Sequence, residues 1–218
     1  MSGRAAAWPR PTPLGEAAWL WTLGDRVDPD LSRQVLRGFH HLMQARADGH
    51  LPARDVVPAC CALAVHFDPL AVDADTLAEQ VQALLNEAGQ QPPPPPEQEA
   101  APSALPVVYD GVDLHDVARQ TGCPVHEVVR RHAAPTYRVA AIGFRPHFPY
   151  LLGLDPALHL PRRSTPRRRV PAGSVAIAGQ QTGVYPQESP GGWWLLGRTD
   201  PGLLEELLPG DTVHFVPS

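Results

Sequence analysis

The chain has 218 residues, 27 of them proline, and its net charge at pH 7 is -5. This length allows one large domain or two small ones. The negative charge argues against nucleic acid as the main partner, because phosphate backbones attract basic surfaces. No apolar run approaches the ~20 residues that a membrane span needs, and the first residues lack a signal-peptide core. We therefore expect a cytoplasmic protein with no membrane partner.

Residues 1–88 are predicted to form a small α/β domain. Alternating apolar residues favour strands, whereas apolar residues spaced by three and four positions favour amphipathic helices. Asp28 is a candidate N-cap, and Gly89 is a candidate stop signal for the second helix. The predicted strands span 18–23 and 61–68, and the predicted helices span 28–46 and 73–89.

Residues 89–106 are predicted to be a linker between two domains. Five consecutive prolines, at 92–96, favour an extended polyproline II conformation, and the flanking Gln, Glu and Ala residues cannot build a core. A docking site for a proline-reading domain is the alternative.

Residues 107–218 are predicted to form a β-barrel. A strand at 105–109 precedes two short helices at 113–122 and 123–132, and a further strand follows at 137–144. From Leu151 onward the sequence contains only short extended pieces between glycines and prolines. Many short strands without a helical period favour a closed or nearly closed barrel.

The three cysteines are Cys60, Cys61 and Cys123, and their spacing matches no metal site. They are predicted to be small buried thiols. All 18 basic residues are arginine, so no P-loop lysine exists, and no nucleophile-elbow motif occurs.

Three stretches of the second domain carry a resemblance to a known family. They are GFRPHFPYLLGLD (143–155), PRRSTPRRRVPAGSVAIAGQQTGVYPQESPGGWWLLGRT (161–199) and LPGDTVHFVP (208–217). In this order they resemble the signature blocks of the KipI/PxpB family, whose members are named sensor-kinase inhibitor KipI, allophanate hydrolase subunit 1 or the B-type subunit of 5-oxoprolinase. The resemblance implies an α+β fold, with a small N-terminal α/β domain and a C-terminal cyclophilin-like β-barrel.

The same resemblance implies a function as the B-type subunit of an ATP-dependent 5-oxoprolinase, which converts 5-oxoproline to glutamate. ATP is then a co-substrate at a site shared with a partner, and the chain is inactive alone. The implied partners are a homologous barrel subunit (PxpC/KipA-like) and an A-type subunit (PxpA-like). Two alternatives remain open, an inhibitor of a sensor histidine kinase and a component of an allophanate- or urea-degrading system.

Three features depart from the family pattern, and one of them is the stretch YDGVDL (109–114), which is shorter than the family's usual glycine-containing version. His147 replaces a glycine in a turn, where glycine adopts a positive φ without strain. Because kinase inhibition tolerates a broken pocket, this change favours the inhibitor alternative. Pro124 stands where a Ser or Thr usually caps the helix carrying His132, so no side-chain capping box can form there.

An unstrained lactam resists hydrolysis because its amide is resonance-stabilised, and phosphorylation of its oxygen by ATP supplies a leaving group. Such a site needs cations for phosphate and carboxylate. Guanidinium groups suit both anions, although charge-rich loops are often only solvated. The family-like motif favours Arg163 as a catalytic residue and Arg167 as a substrate-binding residue. The full arginine cluster is Arg162, Arg163, Arg167, Arg168 and Arg169.

Further polar side chains complete the predicted site. Gln181 is predicted to be catalytic, and Thr182, Tyr185 and Arg198 are predicted to bind substrate; turn formation and barrel packing are the alternative for this stretch. His132 is predicted to act as a general base or to position the ligand, with a satisfied core histidine as the alternative.

Overall fold

The computed structural model describes residues 7–90 and 101–218. The chain divides into two compact units, residues 1–99 and 100–218. The five prolines of the predicted linker, at 92–96, lie outside the described residues. At the described ends of that linker, a helix continues through Gly89 to Gln90, and a strand begins at Ser103. Gly89 is therefore not the stop signal that the sequence predicts, because one glycine near a helix end costs only about 1 kcal/mol.

The first unit combines an antiparallel four-stranded sheet, in the order β1-β2-β4-β3, with two helices. The predicted helices and strands are confirmed, and β1 and β3 are additional. Both additional strands are short and contain proline, which weakens a strand signal. The elements are β1 (Thr12–Pro13), β2 (Ala18–Thr22), α1 (Pro29–Ala47), β3 (Asp55–Pro58), β4 (Ala62–His66) and α2 (Ala74–Gln90).

Helix α1 begins where the sequence predicts. The Asp28 carboxylate accepts hydrogen bonds from the backbone N–H groups of Asp30 and Leu31, which satisfies two donors that the first turn leaves free. The apolar face of α1 then packs with α2 and the sheet in one core. Fully buried members of that core include Trp21, Val35 and Leu85.

Among the described residues, the second unit contains two α-helices, nine strands and two 3-10 helices (Pro156–Leu158 and Pro201–Leu204), and its strands form the predicted barrel. The α-helices and strands are β5 (Ser103–Val107), α3 (Leu114–Thr121), α4 (Val125–Ala133), β6 (Thr136–Ile142), β7 (Pro149–Leu152), β8 (Arg167–Val170), β9 (Ser174–Ala178), β10 (Gln181–Val184), β11 (Ser189–Gly191), β12 (Trp194–Arg198) and β13 (Thr212–Pro217). Seven of the strands form one sheet in the order β12-β9-β10-β7-β6-β13-β5. Strands β8 and β11 pair separately.

The two edges of the seven-stranded sheet meet at a seam just after β5. Val108 and Arg198 exchange backbone hydrogen bonds of 3.0 and 2.9 Å, which joins the end of β5 to β12. Gly111 donates to the Leu196 carbonyl at 3.0 Å. A Cβ on Gly111 would lie 2.3 Å from the Leu195 carbonyl oxygen, and one on Gly197 would lie 2.3 Å from the Val108 carbonyl oxygen. The seam therefore closes because glycine allows the two backbones to touch.

Strand β9 separates two apolar layers by its alternation. Val175 and Ile177 belong to the large barrel core, which also receives residues from α3 and α4. Ala176 and Ala178 belong to a smaller aromatic cluster, whose members Tyr185 and Trp193 are also buried. The α+β fold is confirmed. One face of the barrel sheet packs in the large core, and the other face packs in the aromatic cluster.

Local signals at the two barrel helices act as predicted. Gly122 ends α3 with a φ of 69°, and Pro124 precedes α4 without a side-chain cap bond. The cysteine prediction is wrong, because Cys60, Cys61 and Cys123 are all partly exposed. Cys60 and Cys61 lie in the bend between two strands of the first unit, and Cys123 lies between two helices of the second, where it packs only partly against the barrel core.

None of the described helices has both the length and the apolar character required to cross a membrane.

Candidate functional site

His132, on helix α4, is fully buried in the barrel core and bonded through both ring nitrogens. Its Nδ1 lies 2.7 Å from the Tyr109 hydroxyl, and its Nε2 lies 2.9 Å from the Thr182 hydroxyl. Thr182 donates its single hydrogen to the Ala176 carbonyl at 3.0 Å, so it can only accept from His132. The imidazole therefore carries its proton on Nε2, and Tyr109 donates to Nδ1.

Burial fixes the charge of this imidazole. Desolvation lowers the pKa of His132 to about 3, so the ring is neutral at physiological pH. The ring also stacks on Phe215 with centroids 4.6 Å apart, and the Tyr137 hydroxyl donates to the backbone carbonyl of His132 at 2.7 Å. This surrounding favours the core alternative over a general base, since no polar atom of the ring is left to meet a substrate.

Glu127, which precedes His132 on the same helix, does not contact it. Its carboxylate instead accepts two hydrogen bonds of 2.7 Å from Arg130 and forms an ion pair with Arg131, also at 2.7 Å. The hydrogen bond from Arg130 is the main reason that the pKa of Glu127 falls to about 2. Arg131 also contacts Asp155 at 3.0 Å, so these charges form a network on the outer face of α4.

Asp113 brings together the two arginines that the sequence favours. Its Oδ1 accepts from Arg163 at 2.9 Å and from Arg167 at 2.6 Å, and its Oδ2 accepts from the Leu195 backbone N–H at 2.8 Å. The carboxylate is buried, with only 2% of its side chain exposed. Sequence reasoning missed Asp113, since an aspartate just before a helix is ordinarily expected to cap it.

One buried carboxylate cannot neutralise two guanidinium groups. Arg163 also stacks over Trp194, 5.0 Å from the ring centroid, which compensates part of its burial. Arg167 keeps a buried Nη1 that bonds no other group among the described residues. The Asp113 cluster (Asp113, Arg163 and Arg167) therefore retains net positive charge and a free donor on Arg167.

A pocket of about 410 Å³ opens at the seam beside the Asp113 cluster. We call it the seam pocket. Its charged lining residues are Asp110, Arg167, Arg169 and Arg198. Three cations and one carboxylate give its wall a net positive charge, which favours anions.

Two of these arginines are held by exposed ion pairs. Arg198 contacts Asp110 at 2.8 Å, and Arg169 contacts Glu188 at 3.5 Å. Exposed pairs of this kind contribute only about 0.2–1 kcal/mol, because water already solvates both charges well. Both arginines can therefore exchange their partner for another anion at little cost.

The remaining predicted site residues lie apart from the seam pocket. Gln181 opens β10 and is half-buried, while Thr182 belongs to the hydrogen-bond chain of His132. Tyr185 lies in the aromatic cluster, where burial raises the pKa of its phenol and the Trp193 backbone N–H bonds it. The structure thus joins Arg163 with Arg167 at Asp113, Arg167 with Arg198 in the seam pocket, and His132 with Thr182 in the barrel core. Tyr185 does not line the pocket, although the charges of Arg162 and Arg167 act on its phenol.

The turn that departs from the family pattern keeps the conformation of a glycine turn. His147 has a φ of 63° and is exposed, and Phe144 in the same turn has a φ of 68°. Phe148, at its end, still enters the aromatic cluster. Replacement of the usual glycine has therefore left this turn in place, at the cost of a strained backbone at His147.

Across residues 7–90 and 101–218, no three His, Cys, Asp or Glu side chains are grouped in a way that could hold a metal ion.

Known proteins resemble the chain over most of its length. Residues 9–206 match the family described as carboxyltransferase domain, subdomain C and D. The B-type subunit of 5-oxoprolinase from Haemophilus influenzae is 48% identical over 122 residues, covering 51% of this chain and 57% of that protein. The B-type subunit of 5-oxoprolinase from Bacillus subtilis is 32% identical, covering 93% of this chain and 90% of that protein.

The crystal structure of TTHA0988 shares the fold, with a TM-score of 0.77 and 36% sequence identity. The match covers 92% of this chain and 40% of TTHA0988. The chain thus spans little more than half of the Haemophilus influenzae relative and less than half of TTHA0988.

Proposed function

Because the chain belongs to the family of carboxyltransferase domains, subdomain C and D, we propose that it works as the B-type subunit of an ATP-dependent 5-oxoprolinase. The complex hydrolyses 5-oxoproline to glutamate and releases ADP and phosphate. This chain contributes part of the site that activates the substrate, and it is inactive alone.

One observation carries the proposal. The Bacillus subtilis relative, named as the B-type subunit of 5-oxoprolinase, aligns with 93% of this chain, so the likeness includes both compact units. The Haemophilus influenzae relative of the same name is 48% identical over about half of the chain. The names of these relatives give no support to inhibition of a histidine kinase, and we do not propose that function.

The chemistry of the reaction agrees with the charges at the seam. Phosphoryl transfer to a lactam oxygen develops negative charge, and the substrate brings a carboxylate, so the site needs fixed cations. The Asp113 cluster holds two arginines at a fixed separation, and Arg198 lies in the same pocket as Arg167. Arg163, Arg167 and Arg198 remain our candidates in this chain for those cations.

ATP enters this proposal as a co-substrate. The chain has no lysine and so no P-loop, which argues for a nucleotide site completed by another chain. We propose a homologous barrel subunit and an A-type subunit as the partners.

Glutamate release from 5-oxoproline tests the proposal, with this chain assayed alone and mixed with its homologous barrel and A-type subunits. We expect ATP-dependent release from the full mixture only. Each single omission is the matched control, and leaving out this chain should abolish release. A mixture that assembles by size-exclusion chromatography but releases no glutamate would contradict the proposed function.

A further inference from the structure

The seam pocket combines a positive wall with a small volume. From this geometry we propose that it binds the carboxylate or phosphoryl group of a small organic anion, with Arg167 and Arg198 as the direct contacts and Arg169 at the rim. The identity of the anion rests on the proposed function, whereas the site itself rests on the geometry of this chain.

Arg167 is prepared to meet an anion. Asp113 holds its Nη2 at 2.6 Å, which fixes the guanidinium plane, and the Nη1 of the same group is buried without a bond to another described group. Nη1 itself is closed to solvent, but 24% of the Arg167 side chain is exposed and the residue lines the pocket, so an oxygen ligand there gains a charge-assisted hydrogen bond from the guanidinium.

Arg198 lines the pocket from a different strand, β12. Its guanidinium contacts Asp110, and 67% of its side chain is exposed. An anion in the pocket can therefore replace water and part of the Asp110 contact without leaving a buried charge unpaired. Two arginines on different strands then hold one anion, which suits the forked geometry of carboxylate and phosphoryl oxygens.

The remaining lining residues restrict the size and polarity of the ligand that carries the anionic group. Val112, Pro171 and Leu195 give the pocket an apolar side. A volume of about 410 Å³ falls within the usual range for small-molecule sites. The ligand is therefore a compact molecule with one anionic end and an apolar or weakly polar body.

Arg163 has a different role in this arrangement. It does not line the pocket; it stacks on Trp194 and bonds Asp113. We assign it as a positioning residue that keeps Asp113, and through it Arg167, in place. Arg163 therefore acts on the ligand only indirectly, in place of the catalytic role that the sequence predicts.

Isothermal titration calorimetry of the full chain tests the site, with inorganic phosphate, ATP and 5-oxoproline as separate titrants. We expect at least one titrant to bind, and binding to weaken at higher ionic strength because the contacts are between charges. Binding of phosphate and ATP identifies a phosphoryl group, and binding of 5-oxoproline identifies the carboxylate. Binding by none of the three at millimolar concentration overturns the proposal.

The variants Arg198→Gln and Arg167→Gln should each weaken binding by about tenfold or more. Arg168→Gln is the matched control, since Arg168 lies between two lining arginines on β8, is exposed and does not line the pocket. It should bind as the wild type does. Because Arg198 is exposed, Arg198→Gln remains a fair test even if Arg167→Gln fails to fold. Equal binding by Arg198→Gln and the wild type overturns the proposal.

The glutamate assay separates this inference from the proposed function. If anion binding depends on Arg198 but the chain supports no glutamate release with its partners, the seam-pocket proposal is supported and the proposed function is contradicted. If glutamate release is unchanged in Arg198→Gln, the proposed function is supported and the seam pocket is not the substrate site.

Discussion

His132 shows how one buried side chain connects the barrel core to the pocket wall. Its Nδ1 accepts from Tyr109, and the next residue, Asp110, lines the seam pocket and contacts Arg198. The imidazole thus holds the segment that closes the barrel, although no ligand can reach its ring nitrogens. A histidine in this role stays neutral, because its burial disfavours the charged imidazolium and lowers the pKa of the ring.

The stability of the barrel should depend on pH through His132. The pKa of its ring is about 3 in the folded protein and 6.5 in an exposed histidine. The unfolded chain therefore binds more protons between these values, and the stabilising contribution present above pH 6.5 is lost as pH falls. Between pH 7 and pH 5 the free energy of unfolding should decrease by about 2 kcal/mol from this residue.

Urea unfolding at the two pH values measures this loss, and His132→Gln should remove it. His126→Gln serves as the control, since His126 is exposed on the same helix. A His132→Gln chain that shows the full wild-type difference between pH 7 and pH 5 would refute the assignment.

Asp113 and Asp110 differ in burial although both pair with arginine. Asp113→Ala leaves two partly buried guanidinium groups without their carboxylate, and we expect the free energy of unfolding to decrease by about 3–5 kcal/mol. Asp110→Ala removes an exposed pair and should change it by less than about 1 kcal/mol. Denaturant unfolding of both variants checks the contrast, and equal effects would show that the Asp113 cluster is not a buried ion pair.

Among the elements, the seam between β5 and β12 decides whether the barrel closes. The glycines at 111 and 197 allow backbones to approach where a Cβ would lie 2.3 Å from a carbonyl oxygen. That distance is shorter than any van der Waals contact, so a side chain there must push the edges apart. The same separation would move Arg198 away from β8 and widen the seam pocket.

Gly197→Ala should therefore lower the free energy of unfolding by about 1–3 kcal/mol, which is the usual cost of overpacking. Gly143→Ala is the matched control, because a Cβ on Gly143 meets no atom within 4 Å. Urea unfolding of the two variants, with hydrogen exchange of Val108 and Arg198 amides, reports stability and seam closure together. Unchanged protection at these amides in Gly197→Ala would count against the closure.

At the scale of the whole chain, the net charge conceals the charge at the seam. The protein carries -5 overall, yet Arg167, Arg169 and Arg198 meet in one pocket. Exposed charges more than about 10 Å apart are largely screened at 0.1 M salt. The affinity for an anion therefore depends on the charges that line the pocket and not on the net charge of the chain. Net charge gave no sign of a nucleic-acid footprint, and it could not predict a local anion site.

The sequence by itself determined the helices, several of the strands and the family. Apolar periodicity located α1, α2 and the early strands, and ordered motifs from 143 to 217 predicted the KipI/PxpB resemblance that the relatives confirm. These features depend on neighbours within a few positions, because helix turns, strand alternation and tight turns are local geometries. Pro124 and Gly122 acted as local sequence signals predict.

Only the tertiary structure decided which polar residues meet. Asp113 lies 50 and 54 positions from its two arginines and 82 positions from Leu195, and no short-range pattern encodes such distances. The same closure of the barrel enclosed His132 with Thr182, placed Tyr185 in the aromatic cluster, and left the glycines at 111 and 197 in contact with opposing backbone. Long-range packing places side chains according to the whole fold, so the seam pocket exists only once β5 reaches β12.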